Sequence, residues 1–191
     1  MNNIAKETLD ARYTIPAAPL DKVWLNGALR EVLDRLDAMM PRFTDTFPAA
    51  AAVNGIYPAV EKVDWTEGFW VGMLWLAYEA TGDNKYRKVA EGLLPKFRTR
   101  LEQKVKTNTH DLGFLYSLSC VAAWKLTGNA EARSSALWAA DLLYERYNRT
   151  AGIVQAWGAL DDPAKQGRMI IDCNLNLPLL FWAAEETGVQ W

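Results

Sequence analysis

One histidine and two cysteines are all that this chain of 191 residues offers in soft metal ligands and thiols. The cysteines, Cys120 and Cys173, lie inside apolar stretches with no Cys/His cluster around them, which argues against a zinc site and against a disulfide framework. Long apolar runs are also missing. The most extended one, GFWVGMLWLAYEA from Gly68, is too short to span a bilayer and reads as a buried helix. The N-terminal stretch MNNIAKETLDARYTIPAAPLDK lacks the charged-then-apolar pattern of a secretory leader. The expectation is a soluble, cytoplasmic chain with no membrane partner. Blocks of like charge are absent as well, and the formal net charge is −2. Nothing would track a phosphate backbone, which argues against a nucleic-acid partner.

What is present in quantity is apolar surface. Half of the residues are hydrophobic and nine are tryptophan. That suffices for a sizeable core, and the length suggests one domain over residues 1–191. Some tryptophans would belong to that core. Others could line a cleft for a ligand with flat faces, such as a sugar ring, to which an indole offers an apolar face and an N–H.

Two kinds of helix alternate. Apolar residues recur at spacings of three and four in Leu29, Val32, Leu33, Leu36 and Met40. They do so again in Tyr86, Val89, Leu93, Phe97 and Leu101, and in Ala136, Leu137, Ala140, Leu143, Tyr144 and Tyr147. This is the mark of a helix with one wet side. Between them lie segments apolar almost all round, beginning at Gly68, Gly113 and Leu177, which require cover on every side. The alternation predicts an all-α fold of two layers, outer helices around inner ones. Each inner helix ends in a matching turn, EATGD, KLTGN or EETGV, where glycine takes the left-handed cap and Asp83 or Asn129 caps the next helix. The unequal separations make this a loose hairpin repeat. The long connections, residues 54–67, 104–112 and 150–172, precede the inner helices and are where site residues usually sit.

Two carboxylates stand in those connections. Asp111, in THDLGF, falls in the first turn of a helix if Thr109 is its N-cap, where backbone N–H groups favour an anion. Carboxylates are common there for structural reasons alone. Asp172 follows Met169, Ile170 and Ile171, just before a helix that Pro178 places near Asn174 or Asn176. It could be a plain cap. In apolar surroundings and near a second carboxylate, however, such an acid tends to hold its proton, and the pair can divide acid and base roles. Trp65, His110 and Trp157 lie in matched positions before or beside the inner helices. Any one tryptophan is more often core than ligand platform. Together with two acids they describe an aromatic, acidic cleft suited to carbohydrate.

WTEGFW, THDLGF, GIVQAWG and IIDCNLNLPLLFWAAEETG, in that order, closely resemble the unsaturated glucuronyl hydrolases of glycoside hydrolase family 88. The resemblance runs from about residue 20 to residue 188. The related unsaturated rhamnogalacturonyl hydrolases share the later aspartate, but the His-Asp pair favours the glucuronyl enzymes. The resemblance implies an (α/α)6 toroid of six helical hairpins. It implies action on oligosaccharides left by polysaccharide lyases, whose terminal uronate carries a C4=C5 double bond. Those enzymes hydrate the alkene rather than displace at the anomeric carbon, unlike the usual two-carboxylate scheme. By the same resemblance Asp172 is the general acid/base and Asp111 its partner. Trp65 and Trp157 are sugar-contacting rings, His110 is a polar contact, and no metal or organic cofactor is required.

The chain departs from that pattern in length, because it accounts for only about half of the hairpin ring and carries none of the later contacts. It looks cut after EETG. An open edge would leave apolar helix faces unpaired, so self-association or association with another fragment is expected. Two other readings stay open: a sugar-binding remnant without turnover, and a helical-repeat scaffold in which the acids are only caps.

Overall fold

The computed structural model describes residues 21–60 and 64–189. The leader pattern sought in residues 1–20, residues 61–63 of the first long connection, and the last two residues fall outside that range. Two compact units are distinguished, one ending at Arg35 and one running from Leu36 onward. Helix α1, Lys22–Met39, begins in the first. There the expected apolar face does not close: Leu29 and Val32 remain exposed, and of the five residues named only Leu36, in the second unit, is buried.

The second unit holds the expected alternation. It comprises α2 (Glu67–Thr81), α3 (Asn84–Glu102), α4 (Leu112–Tyr116), a π-helical turn at Ser117–Val121, and α5 (Ala122–Thr127). Next are α6 (Ala130–Tyr144), a hairpin of β1 (Tyr147–Asn148) and β2 (Ile153–Val154), α7 (Cys173–Asn176) and α8 (Pro178–Thr187). Apolar α2 packs on amphipathic α3 and on the α4–α5 run, while α6 packs on α3, α4 and α8. Amphipathic α3 buries Tyr86, Leu93, Phe97 and Leu101, as the spacing predicts. The third amphipathic stretch is shorter than expected. It stops at Tyr144, and Tyr147 enters the hairpin, its ring stacked on Tyr144 at 6.2 Å.

The turns follow their sequence signals. Gly82, Gly128 and Gly188 cap α2, α5 and α8 in the left-handed region. Asp83 accepts from the Lys85 N–H at 2.9 Å, and Asn129 from the Ala132 N–H at 2.9 Å, so each starts the next helix.

Cover on every side is not achieved. Helix α2 buries Trp70, Val71, Leu74 and Trp75 but leaves Phe69, Met73 and Leu76 in water, and α8 leaves Phe181 66 % exposed. Positions 69, 73 and 76 follow helical spacing, so they form one stripe. Phe69 still touches the Phe114 ring of α4 at 5.3 Å, so the stripe is most open at Leu76. No helix among the described residues is long and apolar enough to cross a membrane.

Candidate active site

The inner helices start close together because glycines let them. A side-chain carbon on Gly68 would meet the backbone of Phe114 and Leu115 at 2.6 and 2.8 Å, and one on Gly113 would overlap the backbone of Asn176. Gly113 thus brings the start of α4 against α7. Asn176 then fastens the two: its Oδ1 accepts the Phe114 N–H at 2.8 Å, and its Nδ2 donates to the Asp172 carbonyl at 3.2 Å. The segments carrying Asp111 and Asp172 are neighbours for this reason.

Their side chains meet at one atom. His110 Nε2 lies 3.1 Å from Asp111 Oδ1 and 3.7 Å from Asp172 Oδ2. The first separation is a hydrogen bond; the second is too long to be one. Asp111 also accepts from the Thr109 hydroxyl at 2.7 Å. Thr109 also makes the cap-type bond its position suggested, its Oγ1 accepting the Asp111 N–H at 3.3 Å, although the helix starts later than expected, at Leu112. Asp111 itself occupies the cap, already with helical backbone angles and with no cap bond from its side chain. Burial works to raise the Asp111 carboxyl, but the hydrogen bonds from His110 and Thr109 outweigh it and hold the group below the usual carboxylate range.

Asp172 is the N-cap of α7, again without a side-chain cap bond. Its side chain is about one-third exposed (32 %). The apolar triplet before it does not enclose it as expected, because Met169, Ile170 and Ile171 all point outward. Asp172 Oδ1 is buried without a hydrogen-bond partner, so the exposed part of this side chain lies on its other atoms.

The three aromatic positions divide in two. Trp65 and Trp157 are exposed at 43 % and 42 %, whereas His110 is buried at 2 %. Trp157 is tied to the acids through the backbone: Thr109 and Trp157 form an antiparallel bridge, and the His110 N–H donates to the Ala156 carbonyl at 2.8 Å. Its ring meets the His110 ring edge-on at 6.4 Å, and the Arg168 guanidinium stands 5.7 Å over it. Trp65 is held from the other side, against Phe69 at 5.9 Å and Phe114 at 6.0 Å. Because Phe114 is three residues beyond Asp111 on the same helical start, both tryptophans border the acids. His110 does not reach the surface. Its nitrogens face protein atoms, which fits orientation of the acids better than direct contact with a sugar.

Buried polar side chains support this rim. Arg100 reaches Glu67 at 3.1 Å and the Asp64 carbonyl at 2.8 Å, so the residue before Trp65 hangs on a guanidinium. Burial raises the Glu67 carboxyl, against the pull of Arg100. Arg146 clamps the third connection through the Gln155 carbonyl at 2.8 Å, the Asn108 side chain and the Gly158 carbonyl. Sequence reading passes over Arg100 and Arg146, because a buried arginine looks like a surface one until its partners are known. Glu67 and Asn176 stand inside the quoted motifs, and the motif boundaries were the available signal.

One potential ligand atom each from His110, Asp172 and Cys173 lies within 4.8 Å of the others. The imidazole, however, meets the thiol with Nδ1 at 2.9 Å and the carboxylates with Nε2. One ion cannot bind both nitrogens of a ring, so the contacts describe a hydrogen-bonded chain rather than a convergent metal cage.

Two acids on one imidazole, flanked by two exposed indoles and begun by the same four motifs, invite comparison with known carbohydrate enzymes. The profile of Glycosyl Hydrolase Family 88 matches residues 35–190. The chain belongs to this family. An unsaturated glucuronyl hydrolase of Bacillus sp. (strain GL1) is 49 % identical over 149 residues, which cover 78 % of this family 88 chain and 40 % of that enzyme. An unsaturated chondroitin disaccharide hydrolase of Streptococcus pneumoniae (strain ATCC BAA-255 / R6) is 42 % identical over 171 residues, 90 % of this chain and 43 % of the relative. The crystal structure of unsaturated glucuronyl hydrolase from Streptococcus agalactiae superposes with a TM-score of 0.86 at 39 % identity, over 91 % of this chain and 43 % of that one. The fold is thus of the all-α, α/α-toroid class. The chain spans about two-fifths of the length of the relatives it matches.

Proposed function

We propose that this chain carries the catalytic acids of a hydrolase for unsaturated uronyl oligosaccharides, the products of polysaccharide lyases. The observation behind this reading is the convergence of Asp111 and Asp172 on His110 Nε2 between two exposed tryptophans. Asp172, its side chain about one-third exposed (32 %), delivers a proton to C4 of the terminal C4=C5 enol ether. The electron pair of the alkene takes that proton, and the positive charge left at C5 is shared with the ring oxygen. Water adds at C5 and returns a proton to the Asp172 carboxylate, so the acid is regenerated. The C5 hemiketal opens to a ketone, which leaves the anomeric carbon as a hemiacetal. That collapses to release the neighbouring sugar, and one water is consumed overall. Asp111, held ionised, stabilises positive charge through His110. Trp65 and Trp157 offer flat faces to the sugar, and no metal or organic cofactor enters any step.

The test is loss of the ultraviolet absorbance of the conjugated alkene in a lyase-generated unsaturated disaccharide. Turnover that is abolished in Asp172→Asn and lowered in Asp111→Asn is the expected result. Turnover that survives Asp172→Asn removes the assignment.

A second reading has its own support, because the chain spans only about two-fifths of its relatives. On that reading the rim binds the unsaturated sugar without turning it over. Calorimetric binding with no loss of absorbance, weakened by Trp157→Ala, selects it.

A further inference from the structure

We propose that Cys173 is a positioning residue, whose thiol fixes the tautomer of His110 so that Nε2–H points at the two acids. The catalytic consequence rests on the function proposed above, but the hydrogen bond itself does not.

The chemistry of the contacts dictates the direction of each bond. Asp111, held ionised, can only accept, so the ring nitrogen 3.1 Å from its Oδ1 must carry the hydrogen. With Nε2 protonated, a neutral imidazole presents a lone pair at Nδ1. The atom facing that lone pair, at 2.9 Å, is Cys173 Sγ, whose S–H is a donor. Both groups are buried, Cys173 at 5 % exposure and His110 at 2 %. In that setting water is not a substitute partner for either, and an unmet polar atom is costly. The sulfur's acceptor side is also used. The Ile170 N–H points at it from 3.4 Å, and the Cys173 N–H closes the same turn onto the Ile170 carbonyl at 3.0 Å. Cys173 therefore joins the turn that presents Asp172 to the ring that holds Asp111.

A structural cysteine in an apolar core does none of this. Cys120 shows the contrast: it is fully buried, and its thiol is pushed up to about 12 by loss of solvent. Cys173 sits next in sequence to the proposed acid and touches the only imidazole in the chain. If Nδ1 carried the proton instead, Nε2 would turn a lone pair toward the ionised Asp111, two like-poled acceptors facing each other. The carboxylate would then repel the ring, and the link between the acids would be lost.

Because His110 is the sole histidine, its ring nitrogens can be read without assignment ambiguity in a long-range 1H–15N correlation spectrum of the full chain. At mildly alkaline pH the wild type should show one protonated nitrogen, Nε2, and one unprotonated nitrogen, Nδ1. Cys173→Ser, which keeps a hydroxyl donor, should retain that pattern. Cys173→Ala should lose it, with the two nitrogen signals moving toward each other as both tautomers are populated. A wild-type spectrum with the proton on Nδ1 overturns the proposal, and so does an unchanged pattern in a folded Cys173→Ala. If Cys173→Ala fails to fold, the wild-type spectrum decides together with Raman spectroscopy. The S–H band of Cys173, isolated in a Cys120→Ala variant, should lie at the lowered frequency of a donating thiol. A band at the free-thiol frequency overturns the assignment. Where turnover is measurable, Cys173→Ala should lower kcat with KM unchanged, and Cys173→Ser should restore it. The expected spectra combined with turnover that survives Asp172→Asn would uphold the hydrogen bond and remove only the function on which its catalytic role rests.

Discussion

Asn176 accepts the backbone N–H of Phe114 at 2.8 Å across 62 residues of chain. The same side chain donates to the carbonyl of Asp172. It is 1 % exposed, so its own amide has no water to turn to. Asn176→Leu, close in shape, should therefore destabilise the chain by about 1–3 kcal/mol, the desolvation penalty of groups left unmet. The urea midpoint should fall at an unchanged slope. No change in midpoint would mean that the two segments are held together by packing alone.

Arg100 and Glu67 form a buried ion pair with 3 % and 7 % of their side chains exposed. Removing one partner leaves the other charge stranded, so Arg100→Met should cost about 3–5 kcal/mol. Pairing that change with Glu67→Gln should recover most of the loss, because the stranded charge goes with it. Tryptophan emission should report the Trp65 environment, since Arg100 also holds the Asp64 carbonyl. A double variant as unstable as Arg100→Met would contradict the pairing.

Acid should weaken the site through Asp111. Its folded-state value lies below the ordinary 3.8, so its stabilising contribution is present above that ordinary value and is lost as pH falls through the folded one. Wild type should thus exceed Asp111→Asn in urea resistance at neutral pH, and the difference should shrink as pH falls below the ordinary carboxylate range. A gap between the two proteins that widens on acidification would reverse the sign and sink the assignment.

Phe69, Met73 and Leu76 on α2, with Phe181 on α8, present apolar surface to water. Exposed apolar residues in a stripe of this kind mark a contact surface. The expected outcome is concentration-dependent association in light scattering, reduced by Leu76→Glu without loss of helical circular dichroism. A strictly monomeric wild type at micromolar concentration would show that the stripe is tolerated in water.

Fold class, helix order, three glycine C-caps and two N-caps were legible in the residues. Periodicity and capping are local, so Gly82, Gly128, Gly188, Asp83 and Asn129 behave as their neighbours dictate. Local rules also misled. Thr109 looks like the N-cap and does accept the Asp111 N–H, yet the helix starts only at Leu112, with Asp111 in the cap position. Met169, Ile170 and Ile171 look like a core segment, yet they lie outside. The apolar face of α1 is periodic, yet Leu29 and Val32 are exposed among the described residues.

The chain by itself determined that two apolar-to-amphipathic hairpins and a third inner helix would form, that Asp111 and Asp172 would stand near helix starts, and that Trp65 and Trp157 would lie in the connections leading to inner helices. Only the tertiary structure decided that both acids share one imidazole nitrogen, that the imidazole is buried, and that a cysteine occupies its other side. The reason is one of range. Helix and cap signals act over a few residues through backbone hydrogen bonds. The meeting of His110 with Cys173, 63 residues away, depends on a close approach at Gly113 that no local pattern encodes.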